Sequence, residues 1–274
     1  MSRIRLAPFA VLATAALAAT LASPVLAGAG GIDLARARLV DLTHPFNNET
    51  VYWPTSPSGF GYAPITSGKT EGGWFYSAGA FQAPEHGGTH MDAPVHFKEG
   101  GATADKVGLE HLVAPLCVID ITTQANSDAD YAAALTDLVT YETRYGPIPR
   151  GAIVVLRTGW SSKWPDKKAY LGDDTPGDAS NLHFPGFGEE IMRMLVEQRG
   201  AAGVGLDTAS LDPGKSTDFM AHRISAAAGV PGFENLTNLD QLPGKGAWMV
   251  ALPMKIENGT GGPLRAVAIV PEGQ

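Results

Sequence analysis

The stretch from His86 to His96, H-G-G-T-H-M-D-A-P-V-H, is the part of this sequence that decides both the fold and the chemistry. It places three of the chain's 7 histidines and one aspartate on a short segment. Gly87, Gly88 and Pro94 disfavour a continuous helix, so we expect a strand end that runs into a tight loop around a small object. Imidazole nitrogens and carboxylate oxygens are common ligands of divalent transition metals. The segment therefore predicts a hydrolytic metal site.

The polar side chains of this segment divide into three candidate ligands and one open assignment. His86, His90 and Asp92 supply the nitrogen and oxygen donors. His96 is either a fourth ligand or a free imidazole beside the metal. The alternative for any single histidine near a turn is a structural or exposed side chain, but three histidines grouped around an aspartate favour the metal site.

The N-terminal residues have the pattern of a secretory signal peptide. Arg3 and Arg5 precede an uncharged, alanine-rich apolar run, and small residues ending at Ala27 follow it. The alternative is a retained membrane anchor, for which the apolar run is short. We therefore expect a signal peptide over residues 1–27 and one mature domain over residues 28–274, located in the periplasm or secreted and free of the membrane once the leader is removed.

Composition limits the function classes that need to be considered. The formal net charge is −8 and there is no cluster of lysine or arginine, so nucleic acid is not an expected partner. The mature chain is long enough to build a sizeable core. The only cysteine, Cys117, lies in an apolar run, so we expect it to be buried and not to act as a nucleophile.

Short apolar runs alternate with helical patterns along the mature chain, which predicts an α/β fold with a mixed sheet and flanking helices. Strands are predicted at residues 40–42, 74–81, 112–121, 153–157, 204–206, 248–256 and 264–270. Helices are predicted at residues 130–145, 189–198 and 217–228. Ser216 or Thr217 is the expected N-cap of the last helix, and Gly229 is its expected end. Residues 43–73 and 161–188 lack a regular pattern and are expected to be loops.

Two distant residues could complete a metal site, because a catalytic metal needs about three protein ligands and an open position. His222 lies in the last predicted helix, and Glu234 follows it in V-P-G-F-E-N-L. The alternatives are a half-buried helix histidine and a surface carboxylate. Phe75, in the strand before the histidine segment, offers a flat surface to an aromatic substrate, although strand aromatics commonly belong to the core.

The sequence resembles the cyclase family of metal-dependent hydrolases, which includes bacterial kynurenine formamidases and isatin hydrolases. The segment at residues 86–96 matches the family signature H-x-G-T-H-x-D-x-P-x-H. Further pieces fall in the family's order: D-L-T-H-P at 41–45, R-T-G-W at 157–160, G-L-D-T-A-S at 205–210, and His222 with Glu234. The resemblance implies a single swivelling β/β/α-type domain that forms a homodimer or homotetramer.

The resemblance also implies a role for each matched residue. His86 and His90 would bind one metal ion, and Asp92 would bridge to a second. His222 and Glu234 would hold that second ion. The implied metal is zinc or manganese, with one or two ions per subunit.

The same resemblance gives expectations for the pocket and the mechanism. His96 would donate and accept protons, and Trp53 would line the substrate pocket, with a partly buried loop aromatic as its alternative. Apart from the resemblance, Ser210 is expected to point toward the pocket without acting as a nucleophile. The chemistry of these parts predicts attack of a metal hydroxide on an amide carbonyl, with His96 as the general acid and base.

An exported enzyme of this kind is expected to open a small amide or lactam such as isatin, because breakdown of N-formylkynurenine is a cytoplasmic process. Arylformamidase activity on N-formylkynurenine is the alternative within the same class. A periplasmic metal- or ligand-binding protein without catalysis is the alternative from another class. Such a protein would close its ligand shell and would need no free imidazole.

Overall fold

Buried parallel strands form the centre of the fold in the computed structural model, which describes residues 32–273. The predicted signal peptide lies outside these residues. The strands are β1 (Arg38–Asp41), β2 (Gly61–Lys69), β3 (Phe75–Gln82), β4 (His90–Asp92), β5 (Val113–Asp120), β6 (Ala132–Ala133), β7 (Ile153–Arg157), β8 (Gly186–Phe187), β9 (Gly203–Leu206), β10 (Gly232–Glu234), β11 (Ala247–Pro253) and β12 (Gly261–Val270). The α-helices are α1 (Thr122–Ser127), α2 (Leu135–Tyr145), α3 (Lys167–Leu171), α4 (Glu189–Arg193) and α5 (Met220–Ala227), and α4 continues as a π-helical segment over Met194–Arg199.

One mixed sheet contains the strands in the order β1-β12-β11-β5-β7-β9-β10-β4. The pairs β5–β7, β7–β9 and β9–β10 are parallel. The other pairs in that order, β1–β12, β12–β11, β11–β5 and β10–β4, are antiparallel. β4 also pairs with β12, which closes the sheet on itself like a barrel. This arrangement confirms the predicted α/β class with a mixed sheet, and the finer swivelling β/β/α description stays a prediction.

Successive residues of the central strands face two different hydrophobic cores. Leu116 and Val155 belong to a core that the strands of the closed sheet line among themselves. Cys117 and Val154 face the opposite way, into a core shared with α2, α4 and α5. Strands buried on both faces appear in sequence as continuous apolar runs, which is why β5 and β7 were predictable. Cys117 is 1% exposed, as expected.

Helix α5 begins differently from its prediction. It starts three residues after Thr217, and neither Ser216 nor Thr217 is its N-cap. The first amide groups of the helix, those of Ala221 and His222, donate instead to the carboxylate of Asp212, at 2.7 and 3.1 Å. A cap supplied from outside the adjoining turn leaves no local sequence pattern. None of the helices within residues 32–273 is long and apolar enough to cross a membrane.

β2 and β3 pair with each other in an antiparallel hairpin, hereafter the hairpin (residues 61–82). Only β3 was predicted, because β2 lies within residues 43–73, which were expected to be a loop. No residue of either strand is buried. Aromatic and small residues alternate in β3, whereas Pro64 and two glycines interrupt β2, and these residues are uncommon within strands. The second expected loop, residues 161–188, likewise contains regular structure in α3 and β8.

Candidate metal centre

Strand pairing brings the predicted ligands to one place. His90 and Asp92 lie on β4, and Glu234 lies directly opposite His90 on β10. His222 comes from α5, and His86 from the turn that precedes β4. The side chains of His90, Asp92, His222 and Glu234 are buried, whereas that of His86 is 25% exposed. The closed sheet therefore joins an early and a late part of the chain around one set of nitrogen and oxygen donors.

The donors form two groups that share Asp92. In the first group, Asp92 Oδ1 lies 2.7 Å from His86 Nδ1 and 3.2 Å from His90 Nε2. In the second group, His222 Nε2 lies 3.1 Å from Asp92 Oδ2 and 3.0 Å from Glu234 Oε1. Within each group the ligand atoms all lie within 4.8 Å of one another. The five residues that the sequence singled out as metal ligands thus do converge.

Hydrogen bonds behind the ligands decide which ring nitrogen faces the centre. His90 Nδ1 donates to the carbonyl of Gly88 at 3.0 Å, and His222 Nδ1 donates to the carboxylate of Asp212 at 2.6 Å. Carbonyl and carboxylate oxygens only accept hydrogen bonds, so these two nitrogens carry protons. The Nε2 atom of each ring then faces the carboxylates of the centre and would be the nitrogen that binds a metal ion, which is how histidines are held in metal sites.

The centre therefore requires positive charge. Lone pairs of imidazole nitrogens and carboxylate oxygens at these separations repel unless a cation lies among them. The directions of the pKa shifts also indicate that positive charge is favoured at the centre. Burial lowers the pKa of His222, but hydrogen bonds to Asp212, Asp92 and Glu234 outweigh burial and raise it well above its usual value. Burial raises the pKa of Asp92, but the neighbouring histidines hold it well below its usual range. Zinc and manganese both accept this donor set.

His96 lies beside the ligand groups and is not part of them. Its ring stacks on that of His86, with 3.8 Å between centroids and 19° between planes. It is exposed to the cavity above the centre, yet partial burial by the surrounding protein lowers its pKa to about 4. Of the two alternatives for His96, the geometry favours the free imidazole, and its lowered pKa keeps the ring neutral near pH 7.

A cavity of about 330 Å³ opens onto the ligands. Trp53 and Ser210 line it, as the resemblance implied. Phe75 is not among the described residues that line the cavity of its own chain. It lies on β3 of the hairpin, with 68% of its surface exposed. Phe75 therefore belongs neither to the pocket of its own chain nor to the core that was its alternative.

Two glycines of the signature permit the close packing under the cavity. Gly87 and Gly88 have φ angles of 140° and 60°, which other residues rarely adopt. A Cβ on Gly87 would lie 2.1 Å from the ring of Tyr52, and one on Gly88 would lie 2.4 Å from the ring of Phe46. The tight loop expected from these glycines is thus present between residues 85 and 89, after which the segment continues as β4.

Sequence reasoning missed three residues that shape the site. The carboxylate of Asp212 accepts a hydrogen bond from His222 Nδ1, and the side-chain amide of Asn235 donates to the carbonyl of Gly88 at 2.8 Å. Phe219 has a left-handed φ of 52°, unusual outside glycine and asparagine, and its ring lies 6.3 Å from that of Trp53. Asn235 adjoins Glu234 in the E-N-L motif, which was the one available signal. Asp212 and Phe219 left none.

Comparison with known proteins finds relatives over most of this chain. A family model described as "Putative cyclase" matches residues 40–213. An isatin hydrolase from Roseibium aggregatum is 35% identical over 192 residues, which cover 69% of this chain and 73% of the relative. A kynurenine formamidase from Salinibacter ruber is 28% identical over 247 residues, which cover 84% of this chain and 96% of the relative.

Solved structures show the same fold. Isatin hydrolase A from Ralstonia solanacearum superimposes with a TM-score of 0.76 at 34% identity, covering 85% of this chain and 92% of that chain. An isatin hydrolase bound to the product analogue thioisatinate superimposes with a TM-score of 0.77 at 29% identity, covering 87% and 94%.

Proposed function

This chain belongs to the cyclase family, and we propose that it is a metal-dependent hydrolase that opens a small cyclic amide, as isatin hydrolase does. The observation that carries the proposal is the pair of ligand groups sharing Asp92 at the base of a cavity, with a free imidazole beside them. The relatives named isatin hydrolase support the substrate class. Hydrolysis of a C–N bond needs activated water, a polarised carbonyl and a proton for the leaving nitrogen, and the site can provide all three.

His86, His90, Asp92, His222 and Glu234 would hold the ion or ions, with zinc or manganese as the metal. When bound, a divalent ion supplies activated water and polarises a carbonyl group. Hydrogen-bond acceptors behind the ligands keep the imidazoles oriented: the carboxylate of Asp212 accepts from His222, and the backbone carbonyl of Gly88 accepts from His90. Two ligand groups sharing one carboxylate are compatible with one or two ions per subunit, and metal analysis of the purified protein counts them.

His96 moves the proton in this proposal. Its ring is neutral near pH 7, faces the cavity and is held by stacking on His86. A nitrogen of the His96 ring accepts a proton from water and returns it to the leaving nitrogen of the amide. A protein that only bound metal or ligand would need no such group, so this residue argues against the non-enzymatic alternative.

The cavity walls suit a flat aromatic substrate. Trp53, Phe97 and Phe219 line the cavity with aromatic rings. Ser210 Oγ accepts a hydrogen bond from the amide of Asp212 at 3.2 Å, which leaves its hydroxyl proton available to a substrate oxygen. A volume of about 330 Å³ is at the small end of ligand pockets and favours a compact bicyclic lactam.

Arylformamidase activity is the second candidate, because relatives named kynurenine formamidase match up to 97% of their own length. One experiment separates the candidates: the metal content of the purified protein is measured together with turnover of isatin and of N-formylkynurenine. Isatin turnover with bound metal supports the main proposal, and turnover of N-formylkynurenine alone supports the second candidate. Bound metal with no turnover of any amide or lactone supports the binding protein.

We further propose that copies of this chain associate as a homodimer or homotetramer through the hairpin. Apolar side chains are strongly exposed there, at Tyr62, Ile65, Trp74, Phe75, Tyr76 and Phe81. An exposed group of large apolar side chains marks an interaction surface. Light scattering of the purified protein measures the assembly. Export to the periplasm or secretion is a proposal that rests on residues 1–27, and the N-terminal sequence of the purified protein tests it.

A further inference from the structure

The glycine-rich segment N-G-T-G-G at residues 258–262, which ends the turn after β11 and begins β12, contacts the candidate metal centre. Thr260 Oγ1 lies 2.8 Å from His86 Nε2, the ring nitrogen on the side away from Asp92. The same hydroxyl lies 2.5 Å from Glu85 Oε2, and the backbone amide of Thr260 donates to that oxygen at 2.9 Å. Neither Thr260 nor Glu85 was among the site residues considered so far.

The number of available protons determines which atom donates and which accepts in each of these hydrogen bonds. A threonine hydroxyl has one proton, and an ionised carboxylate can only accept. The Thr260 proton is therefore donated to Glu85, and Thr260 Oγ1 must accept the remaining hydrogen bond from His86 Nε2. In a ring that carries a single proton, as a metal-binding imidazole does, that proton is therefore on Nε2, and Nδ1, which lies 2.7 Å from Asp92 Oδ1, is free to bind a metal.

His86 needs this help more than the other histidines do. His90 and His222 each donate directly to a group that cannot donate back, the carbonyl of Gly88 and the carboxylate of Asp212. His86 is the most exposed of the three, and its partner is a hydroxyl, which could donate or accept. Only the carboxylate of Glu85 makes the hydroxyl an acceptor.

Glycines on both sides of Thr260 allow it to lie close to His86 and Glu85. A Cβ on Gly261 would lie 2.7 Å from His86 Cε1, and one on Gly259 would lie 3.0 Å from Glu85 Oε1. A backbone hydrogen bond also fixes the position of Thr260: the amide of Ala93 donates to the Thr260 carbonyl at 2.9 Å. Thr260 is therefore held in place independently of His86.

We infer that Thr260 and Glu85 are positioning residues that fix the tautomer and the orientation of His86, so that Nδ1 is its metal-binding nitrogen. The inference rests on the proposed function in one respect, that His86 is a metal ligand. Groups that orient ligands in this way contribute about 10–100-fold to metal affinity.

The test compares Thr260→Val, which keeps the shape and removes the hydroxyl, with Thr260→Ser, which keeps the hydroxyl. The affinity of each metal-stripped protein for Zn²⁺ is measured by competition with a chelator. We expect Thr260→Val to weaken binding about 10–100-fold and Thr260→Ser to bind like the parent. Equal affinity of the valine variant and the parent would overturn the inference.

A second readout follows the proton itself, and includes Glu85→Gln in case the valine variant does not fold. In the Co²⁺-loaded parent, NMR is expected to show a shifted, exchangeable ring N–H signal for each liganding histidine. We expect Thr260→Val to lose the His86 signal to exchange with water, and Glu85→Gln to weaken it, while those of His90 and His222 remain. Unchanged signals in both variants would also overturn the inference.

His86→Ala separates this inference from the proposed function. If His86→Ala binds Zn²⁺ as tightly as the parent, His86 is not a ligand and the proposed metal site is wrong. If His86→Ala loses Zn²⁺ but Thr260→Val does not, the metal site stands and the positioning role fails. Melting temperatures of the metal-free proteins show whether any loss of affinity merely reflects a less stable fold.

Discussion

The hairpin and the metal centre follow one another directly in the chain, yet they are held by opposite means. The hairpin ends at Gln82, and the centre begins three residues later at Glu85. In the hairpin no strand residue is buried, whereas β4 is buried at every position and paired on both sides. The comparison shows that aromatic content does not predict burial. The residues that surround the metal centre are ordered by partners far away in the chain, and the hairpin lacks such partners within its own described chain.

The largest effect is expected from a substitution in the buried metal centre. Asp92→Ala removes the one carboxylate that both ligand groups share, so both should lose their metal. Metal activation contributes several kcal/mol to catalysis, so kcat/KM should fall by about 10⁴-fold. Metal per subunit and turnover are the measurements, and Asp240→Ala, at an exposed aspartate, is the matched control. Full activity of the Asp92 variant would contradict the shared-ligand assignment.

A smaller loss is expected from His96→Ala, which leaves the ligands intact. The substitution removes the proposed proton carrier, so kcat should fall by about 10²-fold or more while metal content stays at the parent level. Because His96 is exposed to the cavity, the melting temperature should change little. Undiminished turnover in the metal-loaded variant would refute the role of His96.

Substitutions in the hairpin test whether its exposed aromatic side chains serve assembly instead of the stability of one subunit. Trp74→Ser with Phe75→Ser should leave the stability of a single subunit within about 0.5 kcal/mol, because exposed side chains contribute little to it. The same pair should shift the assembly toward monomers, since aromatic side chains dominate interface energies. Light scattering and chemical denaturation are the measurements. An unchanged assembly would show that the hairpin is not the contact between copies.

The smallest expected effect concerns a histidine buried for packing. His44 stacks on Trp164 with 4.2 Å between ring centroids, and burial lowers its pKa to about 4. The unfolded chain has the usual pKa near 6.5, so the folded state disfavours protonation. Its contribution to stability is complete above pH 6.5 and is lost as the pH falls from 6.5 toward 4.

The pH dependence is measured as the free energy of unfolding at pH 7 and pH 5 for the parent and for His44→Phe, which retains an aromatic ring. We expect the variant to lose about 2 kcal/mol less than the parent over this interval. Equal losses in the two proteins would show that His44 does not titrate on unfolding.

Predictability from sequence followed the range of the interactions. The ligands in β4 were recognisable because a short segment contains both donors and glycines, and β5 and β7 because they are buried on both faces. β2 escaped recognition because Pro64 and two glycines interrupt its sequence, whereas β3, equally exposed, keeps an alternation of aromatic and small residues. The role of Asp212 escaped because it caps α5 and orients His222 from outside the helix.

Thr260 illustrates the same limit at the metal centre. In sequence it belongs to a glycine-rich turn, and its distance from His86 along the chain hides their contact. Pairing of β12 with β4 brings the two together. No periodic pattern records such a contact.

The sequence by itself determined the donor atoms, the α/β class and the buried strands, because residue chemistry and apolar periodicity are local properties of the chain. Only the tertiary structure decided which nitrogen of each imidazole faces the candidate metal centre, that His96 lies beside the ligand groups, and that Phe75 lies outside the pocket. Those outcomes depend on hydrogen-bond partners and packing that are supplied when the sheet closes, and closure joins residues that are remote in sequence.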